Sequence, residues 1–210
     1  MEKTPKVACI ALDFDETLAF INNPKTELFN TWEKRGVPKE IGEKAYEEIH
    51  DGEGFSYPGM KIVLKKYGYD MDEGFEKELW ERLERGLQTF TEVKETIERW
   101  KKMIPVVIVT AGEESFQREK IKRTGLSDLP CIVTRVGNKT KALRTFIEKY
   151  GEPVAFIDDK ISELETLKNA GFSEKELIPV LLDRTGKTKK SQFETISSLD
   201  DPKLSVILGF

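Results

Sequence analysis

The sequence predicts an α/β fold: a parallel β-sheet core with helices on both faces, and a small all-helical module inserted after the first strand. Three observations lead there. Five short apolar runs, Val7–Leu12, Ile104–Thr110, Pro130–Thr134, Val154–Ile157 and Ile178–Leu182, lack clean polar–apolar alternation, as strands covered on both faces do. Helical patterns separate the later runs, and strand and helix alternating at this interval argue for βαβ units. The stretch from Leu18 to about Phe90 breaks the rhythm and repeats its apolar residues at helical spacing.

Taken in order, the first strand ends at Asp13. Helices are expected in the insert over Lys25–Arg35, Lys39–His50, Gly59–Tyr67 and Asp72–Gln88, with no convincing strand among them. Trp32, Tyr46, Ile49, Phe75, Leu79, Trp80 and Leu83 give these helices apolar faces, so the aromatic stripe reads as the module's own core rather than a ligand box. A helix over Thr91–Lys102 returns the chain to the sheet. Helices over Glu114–Thr124, Thr140–Tyr150 and Ser162–Ala170 then alternate with strands, and Gly125, Gly151 and Gly171 stand where C-terminal caps belong. The apolar end Leu204–Phe210 is a last core segment or a contact surface. The expected division is therefore a core of residues 1–17 and 91–210 and a helical insert of residues 18–90.

Composition narrows the function. The 210 residues suit one large domain or a core with an insert, and 38% hydrophobic residues suffice for a buried core. A net charge of −4 gives no basic footprint for nucleic acid or an anionic membrane. No apolar stretch is long enough to span a bilayer. Met1–Lys6 is polar and Val7–Leu12 is too short for the apolar heart of a signal peptide, so a cytoplasmic location is expected. Cys9 and Cys131 each lie in an apolar run and are expected to be buried and reduced. His50 is the only histidine, expected on the surface near a helix end, which argues against zinc and against histidine-based catalysis.

Four segments carry chemistry, and each falls at a strand end or helix start, where open α/β sheets bind their ligands. In Asp13-Phe14-Asp15-Glu16-Thr17 two carboxylates two residues apart on an extended segment point the same way, which is costly unless a cation or shared proton relieves them. One can attack phosphorus and the other can move a proton. Thr110-Ala111-Gly112 ends a buried strand with a hydroxyl and approachable backbone N–H groups, suited to phosphate oxygens. Lys139 or Lys141, in a turn feeding a helix, can neutralise a nucleophilic carboxylate and a phosphoryl group. Asp158-Asp159 offers hard oxygen ligands of the kind Mg2+ takes.

In this order and on these strand ends, the segments resemble the haloacid dehalogenase-like (HAD) hydrolase superfamily. Its DxDxT signature matches Asp13, Asp15 and Thr17, its strand-end hydroxyl Thr110, its lysine Lys139, and its acidic metal motif Asp158 and Asp159. The resemblance covers residues 6–17 and about 91–183, and the helical insert looks like the cap of the phosphoglycolate phosphatase and haloacid dehalogenase branch. It implies a Rossmann-like core of strand order 5-4-1-2-3 and a Mg2+-dependent aspartyl-phosphate mechanism. Asp13 would be the nucleophile and Asp15 the general acid/base. The metal would be held by the Asp13 side chain, the Asp15 backbone carbonyl and Asp158, with Asp159 supporting metal-bound waters. Thr17, Ala111 and Gly112 are the expected phosphate-binding neighbours. One departure is that Thr140, not proline, follows Lys139, which leaves Lys141 as the rival.

The implied activity is phosphomonoester hydrolysis on a small phosphorylated metabolite. Asp15 speaks against a dehalogenase, because cleaving carbon–halogen bonds needs no protonated leaving oxygen. The alternatives are a phosphosugar mutase and a non-catalytic phosphate-binding regulatory module. Specificity is expected in cap loops, with Phe20, Asn22, Asn23, Phe55, Ser56 and Tyr57 as candidate contacts.

Overall fold

A computed structural model describes residues 6–49, 55–188 and 190–210. Its main sheet is six-stranded and parallel. β1 (Cys9–Leu12) lies at the centre, β4 (Val106–Ala111) and β5 (Cys131–Thr134) on one side, and β6 (Val154–Asp158), β7 (Leu177–Leu182) and β8 (Glu194–Ile196) on the other. Counted among the core strands alone, the first five run in the expected 5-4-1-2-3 order, and β8 is an addition.

The missing alternation has its cause in burial on both faces. Ile10 and Leu12 of β1 pack into one core with Val106, Ile108, Ala155 and Ile157, while Cys9 and Ala11 face another with Val107, Val109 and Phe156. The first core is covered by α5 (Val93–Trp100), α6 (Glu114–Arg123) and α9 (Pro202–Leu208) through Ile97, Trp100, Ile121 and Leu204. The second is covered by α7 (Lys139–Tyr150) and α8 (Ile161–Asn169) through Leu143, Phe146, Leu164 and Leu167. The apolar C-terminal end is therefore core, since Leu204 and Leu208 are buried.

Between β1 and α5 stand four helices, α1 (Pro24–Lys34), α2 (Lys39–Ile49), α3 (Tyr57–Lys66) and α4 (Glu73–Gly86). Their inward faces make a third apolar core around Trp32, Met60, Leu64, Phe75 and Leu79. Ser56 caps α3 by accepting the Gly59 N–H, and Asp72 caps α4 by accepting the Phe75 N–H. The expectation that this stretch holds no strand is corrected: β2 (Ala19–Ile21) and β3 (Leu87–Thr89) pair antiparallel as a ribbon at its root. Gln88, expected at a helix end, thus lies in a strand. Arg184, just after β7, clasps this root. Its guanidinium donates to the Thr17 carbonyl at 2.8 Å, pairs with Glu92 at 2.7 Å, and lies 3.6 Å over the Phe90 ring. His50 lies outside the described residues.

Candidate active site

The carboxyl ends of the central strands bring most of the expected residues together. Beyond β1 the Asp13 N–H donates to the Ile157 carbonyl, which keeps Asp13 beside the end of β6 and its last residue, Asp158. Lys139 opens α7 and places its ammonium between them. Its Nζ donates to Asp13 Oδ1 at 2.7 Å and to Asp158 Oδ2 at 2.6 Å, and all three side chains are buried. Asp158 Oδ1 also accepts the Lys160 N–H at 2.8 Å. Lys141 is exposed one-half turn away, so Lys139 is the lysine at the cluster.

Carboxylate oxygens of Asp13, Asp158 and Asp159 lie within 4.8 Å of one another, facing one ammonium. Burial pushes the Asp13 carboxyl above its ordinary value against the pull of Lys139, and Asp158 adds to the rise. Asp159 is pushed up to about 6 by burial and then by Asp158. Burial works to lower the Lys139 ammonium, but Asp13 and Asp158 outweigh it and hold it above the usual lysine range. Asp159 Oδ1 is buried with no hydrogen-bond partner in the protein. Excess negative charge, oxygen-only donors and an unpartnered carboxylate oxygen fit a hard divalent cation such as Mg2+.

Thr110 and Thr17 are both buried, and neither hydroxyl has a partner in the protein. Buried hydroxyls are normally satisfied, so two orphans, one on β4 and one four residues after Asp13, mark places where a ligand oxygen can bind. Gly112 corrects one expectation. Its N–H donates to the Thr134 carbonyl at 2.9 Å, prolonging the β4–β5 ladder, and is not free for a phosphate oxygen. The position still needs glycine, because φ is +143° and a Cβ would stand 2.7 Å from Gln117 Nε2. That same Nε2 donates to the Ala111 carbonyl at 2.8 Å.

Asp15 is turned away from Lys139 toward α6. Lys120 Nζ reaches its two oxygens at 2.5 and 2.6 Å, and Gln117 Nε2 donates to Oδ2 at 2.9 Å. Lys120 is buried and sits between the rings of Phe14 and Phe116. Sequence reasoning missed this pair. A signal existed: Gln117, Lys120, Ile121 and Thr124 share one helical face, so a glutamine and a lysine stand on the buried side of α6. The residue between Asp15 and the hydroxyl of Thr17, Glu16, takes φ +59°, a left-handed turn rare for a non-glycine residue.

The expected cap-loop contacts separate. Phe55 lines a cavity above Asp15. Tyr57 is buried, donates to the Glu76 carbonyl at 3.2 Å and packs on Phe116, so it is a packing residue. Phe20 packs at a tilt against Phe90, Ser56 is the helix cap, and the Asn22 N–H bonds the Gly86 carbonyl. Asn23 begins α1 at φ +50° with an exposed side chain. Cys9 is buried, whereas Cys131 is only half-buried; both are free thiols.

Comparisons with known proteins place this geometry. The family model of haloacid dehalogenase-like hydrolases matches residues 7–171. No curated protein matches the sequence. Among solved structures, the HAD phosphatase from Thermococcus onnurineus is similar with a TM-score of 0.65 at 23% identity, over 96% of this chain and 97% of that one. The HAD-hydrolase YfnB from Bacillus subtilis, bound to magnesium, gives 0.63 at 18% over 97% and 99%. The L-2-haloacid dehalogenase from Xanthobacter autotrophicus gives 0.62 at 14% over 96% and 98%. At such identities the likeness establishes the shared fold. No helix among the described residues is long and apolar enough to cross a membrane.

Proposed function

The chain belongs to the haloacid dehalogenase-like hydrolase family, and from that premise we propose that it is a Mg2+-dependent phosphomonoester hydrolase. The observation that carries the reading is the cluster of Asp13, Asp158 and Asp159, the first two held by Lys139, together with the unpartnered buried hydroxyl of Thr110 on β4. Three carboxylates against one ammonium leave negative charge for a divalent cation to offset, and carbon–halogen cleavage gives no reason for that excess. Asp13, Asp158, the Asp15 backbone carbonyl and, through waters, Asp159 would hold Mg2+. When bound, the ion supplies electrostatic stabilisation of the phosphoryl oxygens.

The chain's own residues divide the rest. The Asp13 carboxylate attacks phosphorus, forming an O–P bond as the ester O–P bond breaks. Asp15, in its protonated form, gives its proton to the departing oxygen. It then takes a proton from the water that attacks the aspartyl-phosphate, which frees phosphate and restores Asp13. Lys139 balances the charge of Asp13 and of the transferring group, while the Thr110 hydroxyl donates to a phosphoryl oxygen. Lys120 and Gln117 hold the Asp15 side chain in place from α6. Residues 18–90 then act as a cap over the core of residues 1–17 and 91–210, shielding the reaction from water.

The test is release of inorganic phosphate from small phosphate esters with Mg2+. Hydrolysis that stops in EDTA and returns with Mg2+ is expected, and Asp13→Asn should lower it by on the order of 10³-fold or more. Full hydrolysis in excess EDTA, or by the Asp13→Asn protein, refutes the reading.

A further inference from the structure

We infer that the substrates are phosphate monoesters of a small, mainly apolar alcohol carrying a distal anionic group, and not sugar or polyol phosphates; this rests on the phosphatase reading above. An acid at Asp15 must reach the leaving oxygen, so the alcohol lies in the space that Asp15 borders. That space is a cavity of about 250 Å³ between the helical module and α6. Its lining is mainly apolar, with Leu28, Leu79, Leu83 and Phe116, and its polar members are Asp15, Glu16, Lys120, Lys25 and Tyr46.

Size sets the first limit. A cavity of about 150 Å³ holds a benzene ring, and drug-sized ligands need roughly 300–1,000 Å³. One six-membered ring with a short substituent matches this volume. Wall chemistry sets the second. Hydroxyls of a sugar pressed on the apolar part of this lining would lose water without gaining partners there. An apolar ring of equal size loses nothing of that kind and is favoured by its buried area.

Charge sets the third limit. The Lys120 ammonium is already occupied by Asp15. Lys25 also lines the cavity, from its exposed end, and its ammonium has no carboxylate partner among the described residues. It lies instead over the rings of Tyr46 at 4.4 Å and Phe29 at 5.5 Å. A cation set over aromatic faces and exposed on the cavity lining, with Lys120 already taken by Asp15, can pair with a carboxylate carried by the alcohol.

The test compares primary alkyl esters of matched ring size, so that leaving-group chemistry is held nearly constant. Cyclohexylmethyl phosphate, 4-carboxycyclohexylmethyl phosphate and glucose 6-phosphate are assayed with Mg2+, with acetyl phosphate as a probe that needs no pocket. Expected kcat/KM for the cyclohexylmethyl ester exceeds that for glucose 6-phosphate by at least tenfold, a difference of about 1.4 kcal/mol. The carboxylate should add a further several-fold gain, and Lys25→Met should bring the ratio of carboxylated to plain ester back to about one. Glucose 6-phosphate equalling the apolar ester, or a carboxylate preference that survives Lys25→Met, overturns the inference while leaving the phosphatase reading intact. Turnover of none of the four, acetyl phosphate included, overturns both.

Discussion

Lys139 lies between Asp13 and Asp158 with almost no exposure, and both its contacts are under 3 Å. Removing one partner from a buried charge group leaves the others uncompensated, at a cost of about 3–5 kcal/mol. Lys139→Met should therefore lower the denaturation midpoint measured without Mg2+ as well as abolishing turnover. An unchanged midpoint would mean the lysine does not neutralise the pair. Lys120 stands differently, because it contacts the proposed acid rather than the nucleophile. Lys120→Met should lower kcat about tenfold or more on alkyl phosphates and much less on 4-nitrophenyl phosphate, whose leaving group needs little protonation. Equal loss on both would make Lys120 a structural residue only. The thiols give a third check. Burial pushes Cys9 up to about 12 and Cys131 up to about 11, so few thiolates exist at pH 8 in the folded chain. Both should react with a thiol reagent far faster after unfolding than before. Asp13 and Asp158 were legible in the sequence because strand ends locate them, and the helix start narrowed the lysine to Lys139 or Lys141. Asp15's partners were not, because a glutamine and a lysine in a charged helix look like surface until the helix is docked.

At the scale of elements, long apolar runs and amphipathic helices were read nearly to the residue, and three-residue strands were not. Ala19–Ile21 is too short to show a period, and its partner Leu87–Thr89 lies beyond four helices. Nothing local to either segment specifies the pairing; the ribbon forms because the module's two ends must enter and leave the core side by side. Arg184 reinforces that root through Thr17, Glu92 and Phe90. Arg184→Ala should cost about 1–3 kcal/mol, mainly by leaving a half-buried Glu92 carboxylate unpaired. Chemical denaturation reads this directly, and a change within a few tenths would show the clasp to be incidental. β8 escaped for the same reason as β2, a length that carries no pattern.

Across the whole molecule, the sheet has cores on both faces and the helical module has a third of its own. α6 joins them. Gln117 and Lys120 hold Asp15, while Phe116 packs against Trp80 and Phe55 of the module, and Arg123 pairs with Glu84 and covers Trp80. α6 therefore connects the module to the side chains that hold Asp15. The parallel sheet and its helical cover could be foreseen because burial on both faces writes itself into composition, while the strand order followed only from the family resemblance. How α6 meets the module could not, since those contacts join residues far apart in the chain. The central claim, that Asp13 carries the phosphoryl group, is tested most directly by acid-quenching the enzyme during turnover of a phosphate ester with Mg2+ and locating the adduct by peptide mass spectrometry. The account predicts one phosphoryl group on the peptide containing Asp13, absent from the Asp13→Asn protein. Phosphate release with no adduct there, or an adduct on another residue, would contradict it.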